Sequence, residues 1–377
     1  MRGPAVGVRV GGMIAVSRLR QVSWTEVVPV LGAVVLALAW GRDLGAVLVT
    51  IVAIVLAGTV LSAVHHAEVV AHRVGEPFGS LVLAVAVTVI EVALIVTMMI
   101  SGGPDTASLA RDTVFAAVMI TTNGIVGLSL LVGAFRYGVT LFNPEGSGAA
   151  LATVATLATL CLVLPTFTAS TPGPEFSTSQ LAFAAVASIA LYATFVLTQT
   201  VRHRDFFLPV TADGEPDAEE HASPPSTKET WISLALLMVA LVVVVGLAKV
   251  ESPAIEAGVK AAGFPPSFVG VVIALLVLLP ETLAAGRAAR RDRVQISLNL
   301  GYGSAMASIG LTIPAIALAS VWLDGPLVLG LGPTQMVLLA LTVLVSVLTV
   351  VPGRATRMQG SVHLVLLAAF LFLAINP

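Results

Sequence analysis

The sequence predicts an all-α, polytopic membrane protein of about 11 transmembrane helices, built as two inverted five-helix repeats plus a peripheral first helix. Three observations predict it. Of 377 residues, 57% are hydrophobic and only 11% are charged, against about 25% charged in an ordinary soluble domain. Apolar runs long enough to cross about 30 Å of hydrocarbon recur along the chain. The two halves also share an order of landmark residues. A soluble enzyme is excluded, because its surface would need polar groups that this chain lacks. A net charge of −2 leaves no footprint for a nucleic acid. The single cysteine, Cys161, allows no intrachain disulfide and no Cys-rich metal site.

The apolar runs fall at about 26–40, 44–66, 78–100, 113–134, 149–169 and 178–199, then 231–249, 267–286, 296–322, 333–351 and 361–375. They are too long and too uniformly apolar for the strands of a membrane β-barrel. Lys and Arg orient them. With the N-terminus inside, Arg2, Arg9, Arg18, Arg20, Arg73, Arg136, Arg202, Arg204, Lys228, Arg287, Arg290, Arg291, Arg293, Arg354 and Arg357 all lie inside. Only Arg42, Arg111, Lys249 and Lys260 lie outside. The stretch around the first four arginines has no convincing cleavage site and is expected to be a cytoplasmic tail. The C-terminus is then expected outside.

Residues 201–230 carry Asp205, Asp213, Glu215, Asp217, Glu219, Glu220 and Glu229. They are expected to form a disordered, acidic cytoplasmic linker. The organisation is therefore a tail with helix 1 (1–43), a first repeat (44–200), the linker (201–230) and a second repeat (231–377).

The repeat rests on residues. Glu68, His72, Gly75 and Pro77 match Glu256, Lys260, Gly263 and Pro265 in spacing. A hydrophobic helix follows each set, carrying Glu91 in one half and Glu281 in the other. Arg111-Asp112-Thr113-Val114 then matches Arg291-Asp292-Arg293-Val294, and a helix rich in small and polar residues follows each. Glu91 lies on a helix entering from inside and Glu281 on one entering from outside, so the repeats are inverted.

A carboxyl at membrane depth costs about 2.5–3.5 kcal/mol on insertion scales. Such residues mark ion or proton paths, and two at matching positions point to one shared site. An empty, doubly charged pair is costly, so the pair favours protons or a cation. Pro280 deprives the helix before Glu281 of a hydrogen bond, as in broken transporter helices. The Gly-rich stretches at 124–133 and 301–310 either pack closely or unwind. Asn123, Asn299, Ser304 and Ser308 can supply neutral oxygens or bond between helices. An all-oxygen donor set suits a hard cation such as Ca²⁺ and not zinc or copper. His65, His66, Glu68 and His72 do not form the HExxH pattern; they read as a proton relay or a pH sensor at the cytoplasmic end.

Gly-Glu-Pro-Phe-Gly (75–79), Thr-Val-Ile-Glu-Val (88–92), Pro-Glu-Thr-Leu-Ala-Ala (280–285) and the stretch Asn-Leu-Gly-Tyr-Gly-Ser-Ala-Met-Ala-Ser-Ile-Gly-Leu-Thr-Ile-Pro (299–314) resemble the bacterial calcium/cation–proton antiporters of the calcium/cation antiporter superfamily. The resemblance implies an eleven-span fold with an acidic loop between the repeats. It places the cation/proton site at Glu91 and Glu281 and ion or proton conduction at Glu68 and Glu256. The chain departs from the vacuolar members, which carry Gly-Asn-Ala before the acid; here Thr88-Val-Ile and Leu278-Leu-Pro280 stand there.

The expected activity is exchange of cytoplasmic Ca²⁺ for external protons across the bacterial plasma membrane by alternating access. Glu91 and Glu281 form the site, Asn123 and Asn299 complete it, and Glu68, Glu256 and His72 line the pathway. Na⁺/H⁺ or K⁺/H⁺ antiport at the same residues is the alternative; an intramembrane enzyme or a channel are rivals of other classes. The expected partners are lipid, the cation and protons, with no cofactor.

Overall fold

The computed structural model describes residues 23–42, 44–75, 78–102, 106–210, 225–322 and 325–377. The four tail arginines, Glu76, Pro77 and residues 211–224 of the acidic linker lie outside the described residues. Fourteen helices are described: α1 (Trp24–Ala39), α2 (Ala46–Val74), α3 (Phe78–Gly102), α4 (Leu109–Met119), α5 (Val126–Tyr137), α6 (Pro144–Ala158), α7 (Thr178–Leu197), α8 (Thr227–Ala261), α9 (Phe268–Val277), α10 (Leu279–Ala289), α11 (Val294–Gly310), α12 (Thr312–Ala319), α13 (Pro333–Val350) and α14 (Arg357–Ile375). Among the described residues, nine helical segments are long and apolar enough to cross a membrane. A further crossing is the bent pair α9–α10, inclined by 54°. With the 16-residue α1, each apolar run read from the sequence meets one of these segments.

Loop contacts sort the helix termini into two ends. At one, Arg73 on α2 donates to the Pro225 carbonyl and the Thr227 hydroxyl at the start of α8. Tyr137 at the close of α5 donates to the Arg290 carbonyl. Residues Thr140–Leu141 (β1) pair antiparallel with Arg354–Ala355 (β2), a short ribbon that the all-α reading did not include. This end carries most of the described arginines. At the other end, the loop before α13 meets Ala107, Leu162 and Pro174 through backbone bonds. Ordered this way, α3 runs away from the arginine-rich end and α9–α10 runs toward it. The two glutamate-bearing segments are therefore antiparallel.

Three prolines shape the bundle. Pro29 sits inside α1 and offers no N–H to the Thr25 carbonyl. That carbonyl instead accepts from Ser62 Oγ at 2.6 Å and His66 Nε2 at 2.9 Å, pinning α1 to α2. His66 thus helps attach α1 to α2. Pro280 stands at the start of α10, and the span breaks just before it at Leu278. Pro253 lies within α8 without ending it.

The Gly-rich stretches stay helical, and several of their glycines pack closely: a Cβ at Gly133 would meet Thr140 Cγ2 at 2.5 Å and one at Gly301 would meet Val126 Cγ2 at 3.0 Å. Residues Ile120–Ile125 form a π-helical bulge that joins α4 to α5. Close packing governs the α5–α14 crossing: a Cβ at Gly360 would meet the Leu131 nitrogen at 2.6 Å, and one at Gly127 the His363 Cβ at 2.7 Å. Since the obstacles at Gly360 are backbone atoms, neither helix can yield. Gly360→Val is expected to cost about 1–3 kcal/mol through overpacking. A thermal unfolding scan in detergent should show a lower transition temperature, whereas Gly258→Val, with open space around it, should leave the transition in place.

Candidate functional site

The break at Leu278 puts Glu281 into the first turn of α10, at a helix N-terminus where free backbone N–H groups favour negative charge. Glu91 sits midway along α3, and only 2% of it is exposed. Both carboxyls line one cavity of about 240 Å³, walled by α3, α7, α10 and α11. Glu91 is held from α11 and α12. Ser308 Oγ lies 3.1 and 2.9 Å from its two oxygens, and Thr312 Oγ1 donates to Oε2 at 2.9 Å. Glu281 differs: its Oε2 is buried with no hydrogen-bond partner among the described residues. Glu91 and Glu68 both lie near enough for their charges to act on it. Thr88 and Ser304 add hydroxyls to the wall, and the Thr88 hydroxyl also lacks a partner.

The cavity reaches from Glu91 and Ser308 toward Gln199, Ile296 and Asn299, residues near the arginine-rich end. The opposite end is closed over it. There Gly270 on α9 meets the α4 backbone, where a Cβ would lie 2.7 Å from the Thr113 nitrogen. Arg111 bonds Asp112 at 2.8 Å and reaches the Gly330 carbonyl, tying α4 to the loop before α13. Buried Leu94, Ile95, Met98 and Ala274 fill the space between. A separate vestibule of about 460 Å³ opens at that end, lined by Glu256, Lys260, Asp112, Ser108 and Thr106, and neither central glutamate borders it. Among the described residues, the cavity wall thus extends toward the arginine-rich end and not into the vestibule.

The predicted site residues fall into distinct places. Glu91, Glu281 and Asn299 share the cavity. Asn299 offers little to a ligand, because its Nδ2 donates to the Phe207 carbonyl at 2.6 Å and its Oδ1 accepts from Gln295 at 2.9 Å. Asn123 is not in the cavity at all. It lies in the π bulge, fully buried, donating to Thr342 Oγ1 at 3.0 Å and facing His363 Nδ1 across 3.0 Å. The bulge turns its amide toward α13 and α14, so it braces those helices. Glu68 and His72 lie on the exposed last turns of α2, with Arg287 of α10 near Glu68. Glu256 lines the opposite vestibule and accepts from Ser252 Oγ at 3.2 Å.

The sequence reading missed Thr312, Thr88 and the 204–208 segment. Thr312 sits four residues past Ser308, one helical turn apart, a signal present in the sequence. The linker expectation needs correction at its start: residues 204–207 form a helical turn, Phe207 is buried against Phe195, and its carbonyl receives Asn299. Two phenylalanines in a row there are too apolar for a solvated connector. Among the described residues, no three His, Cys, Asp or Glu side chains gather as a metal centre.

A family model described as sodium/calcium exchanger protein matches residues 44–201 and 232–376. A provisionally named ionic transporter of Sinorhizobium fredii, y4hA, is 44% identical over 361 residues, covering 94% of this chain and 96% of that protein. The sodium-potassium/proton antiporter ChaA of Escherichia coli is 35% identical, covering 91% and 93%. The Ca²⁺/H⁺ antiporter of Aphanothece halophytica is 22% identical, covering 82% and 86%. Among solved structures, native YfkE superposes with a TM-score of 0.68 at 15% identity, covering 94% of this chain and 99% of that one. The H⁺/Ca²⁺ exchanger CAX gives 0.68 at 14% identity, covering 92% and 86%.

The one-sided cavity predicts a labelling pattern. Cys161 is fully buried, so Ser304→Cys in a Cys161→Ala background isolates one reporter. A membrane-impermeant thiol reagent should modify it from the arginine-rich side. Modification from the opposite side alone would contradict the cavity's direction.

Proposed function

The chain belongs to the sodium/calcium exchanger protein family, whose relatives include cation/proton antiporters, and on that premise we propose that it expels a cytoplasmic cation in exchange for external protons. One observation carries the reading: two carboxyls from antiparallel segments face one cavity, and one of their oxygens is buried without a partner. Burying an unpaired charge costs several kcal/mol. The pair therefore prefers protons or a cation to neither, and the two compete for the same oxygens. Interconversion that is easy when the pair is neutralised, and hard when it is bare, makes exchange obligatory.

Each side chain has a role in this cycle. Ser308 and Thr312 fix the Glu91 carboxyl. Glu281 offers its free oxygen at the N-terminal turn of α10. Glu68, beside His72 and Arg287, stands at the mouth through which the cation enters; Glu256 stands at the opposite mouth, where protons arrive. The charge bias puts the arginine-rich end in the cytoplasm, so the described state opens inward. The two halves act as inverted repeats that exchange roles when the site turns outward.

For the cargo, the all-oxygen wall of carboxyls and hydroxyls supports Ca²⁺. A monovalent reading has its own support: both asparagine amides are engaged elsewhere, and the sodium-potassium/proton antiporter ChaA resembles this chain more than the Ca²⁺/H⁺ antiporter does. Proton flux on adding Ca²⁺, Na⁺ or K⁺ in turn to energised everted vesicles separates the two.

Glu91→Gln and Glu281→Gln are each expected to lower ΔpH-driven cation uptake to the level of vesicles lacking the protein, with normal membrane insertion. Ser308→Ala should raise the half-saturating cation concentration about tenfold, the loss of one charge-assisted bond of roughly 1.5 kcal/mol. Near-normal exchange in both glutamine variants would overturn the site.

A further inference from the structure

Glu251 is a second buried acid on α8 that neither the cavity nor the vestibule wall includes. Only 4% of it is exposed, and its Oε2 has no hydrogen-bond partner among the described residues. It continues the buried stripe Leu237, Ala240, Val244 and Leu247, which faces the bundle interior. Charged and titratable groups on the elements packed against α8 stand apart from it. α1 offers Glu26 near the arginine-rich end; α2 offers His65, His66, Glu68, His72 and Arg73, all in its last ten residues; α3 offers Glu91; α9 offers none. On α8 itself, Lys249 sits over the Trp40 ring and Glu256 takes the Ser252 hydroxyl. Such a place holds a neutral carboxyl, because an unpaired charge there would cost several kcal/mol.

Its position along the helix gives the carboxyl a use. Glu256 lines the vestibule, and Glu251 lies five residues deeper, about 7.5 Å along the axis. Ser252, beside Glu251, bonds Glu256, and Pro253 leaves the Lys249 carbonyl without its helical donor. The half-repeat has no counterpart. Gly75 and Gly263, both left-handed with φ of 73° and 74°, set Glu68 against Glu256 at seven residues before each. At the same register Glu251 falls opposite Ala63, which is fully buried.

We propose that Glu251 is a proton carrier between the external vestibule and the central carboxylates, present on the second half alone. Its proton comes from vestibule water by way of Glu256, and leaves to the carboxyl that the departing cation exposes. Only O–H bonds are made and broken. The inference rests on the antiport reading above and goes beyond it, since it assigns the external limb of the proton path to a residue outside the shared site.

The test separates proton delivery from cation handling in the full chain, reconstituted in proteoliposomes. Isotope exchange of ⁴⁵Ca²⁺ or ²²Na⁺, whichever the wild type carries, is run with equal pH on both sides and needs no net proton movement. ΔpH-driven uptake of the same ion needs it. Glu251→Gln is expected to keep the first within twofold and to lower the second at least tenfold. Glu251→Asp, which keeps a titratable group, should regain at least half of the driven flux. Equal loss of both activities, loss of neither, a Gln variant that does not insert, or an Asp variant as slow as Gln would each assign the carboxyl a structural role and overturn the proposal. A wild-type protein that exchanges isotope without any proton-driven flux would instead overturn the antiport reading.

Discussion

Two carboxyl groups inside one apolar bundle impose the constraint from which the rest of the architecture follows, because neither can stay charged, empty and dry at acceptable cost. Each half of the chain answers with different means. Around Glu91 the answer is hydroxyls, brought from α11 and α12 by a pair of residues one helical turn apart. For Glu281 it is backbone, since breaking the span at Leu278 makes a helix start where the carboxyl sits. Access from a single end completes the arrangement. A cavity open at both ends would hydrate the acids and let ions leak past them. The close approach of Gly270 to the α4 backbone and the Arg111–Asp112 pair prevent this.

The prolines show how one local event serves different purposes. Each removes an N–H and frees a carbonyl four residues earlier, and what meets that carbonyl decides the outcome. At Pro29 the partners come from α2, and the result is a peripheral helix tied to the bundle by Ser62 and His66. At Pro280 the helix changes direction by 54°, and the result is a buried carboxyl at a helix terminus. At Pro253 the helix continues, leaving a polar spot on α8 between two acids. Sequence alone marks all three positions but not their fates, which depend on neighbours distant in the chain.

Much of the fold was legible because a membrane span is a local property. Twenty apolar residues can be counted, and the Lys and Arg bias orders the loops without any tertiary knowledge. Glu91 and Glu281 were legible for the same reason: an acid in an apolar run stands out one residue at a time. Asn123 shows the limit. Its polarity and its place in a Gly-rich stretch suggested a ligand, yet a π bulge rotates the helix face, and His363 and Thr342 take the amide. A one-residue widening of the helix leaves no trace in hydropathy. Asn299 fails differently: it reaches the cavity, but Gln295 and the Phe207 carbonyl, 92 residues away in sequence, occupy it. Two-phenylalanine anchoring at 206–207 was visible in the sequence and outweighed by the acidic residues that follow it.

The inverted halves do not produce a symmetric site, and the difference is chemical as well as conformational. Ser308 and Thr312 reach Glu91 from α11 and α12, whereas among the described residues no hydroxyl reaches the Glu281 Oε2. The two hydroxyls lower the cost of a bare Glu91 carboxylate without removing it. Glu281 has no such support, and its buried oxygen must find a proton or a metal. In the proposed exchange the two acids would divide the work: Glu91 would be a fixed ligand, while the unmet oxygen of Glu281 would require one occupant to enter before the other leaves.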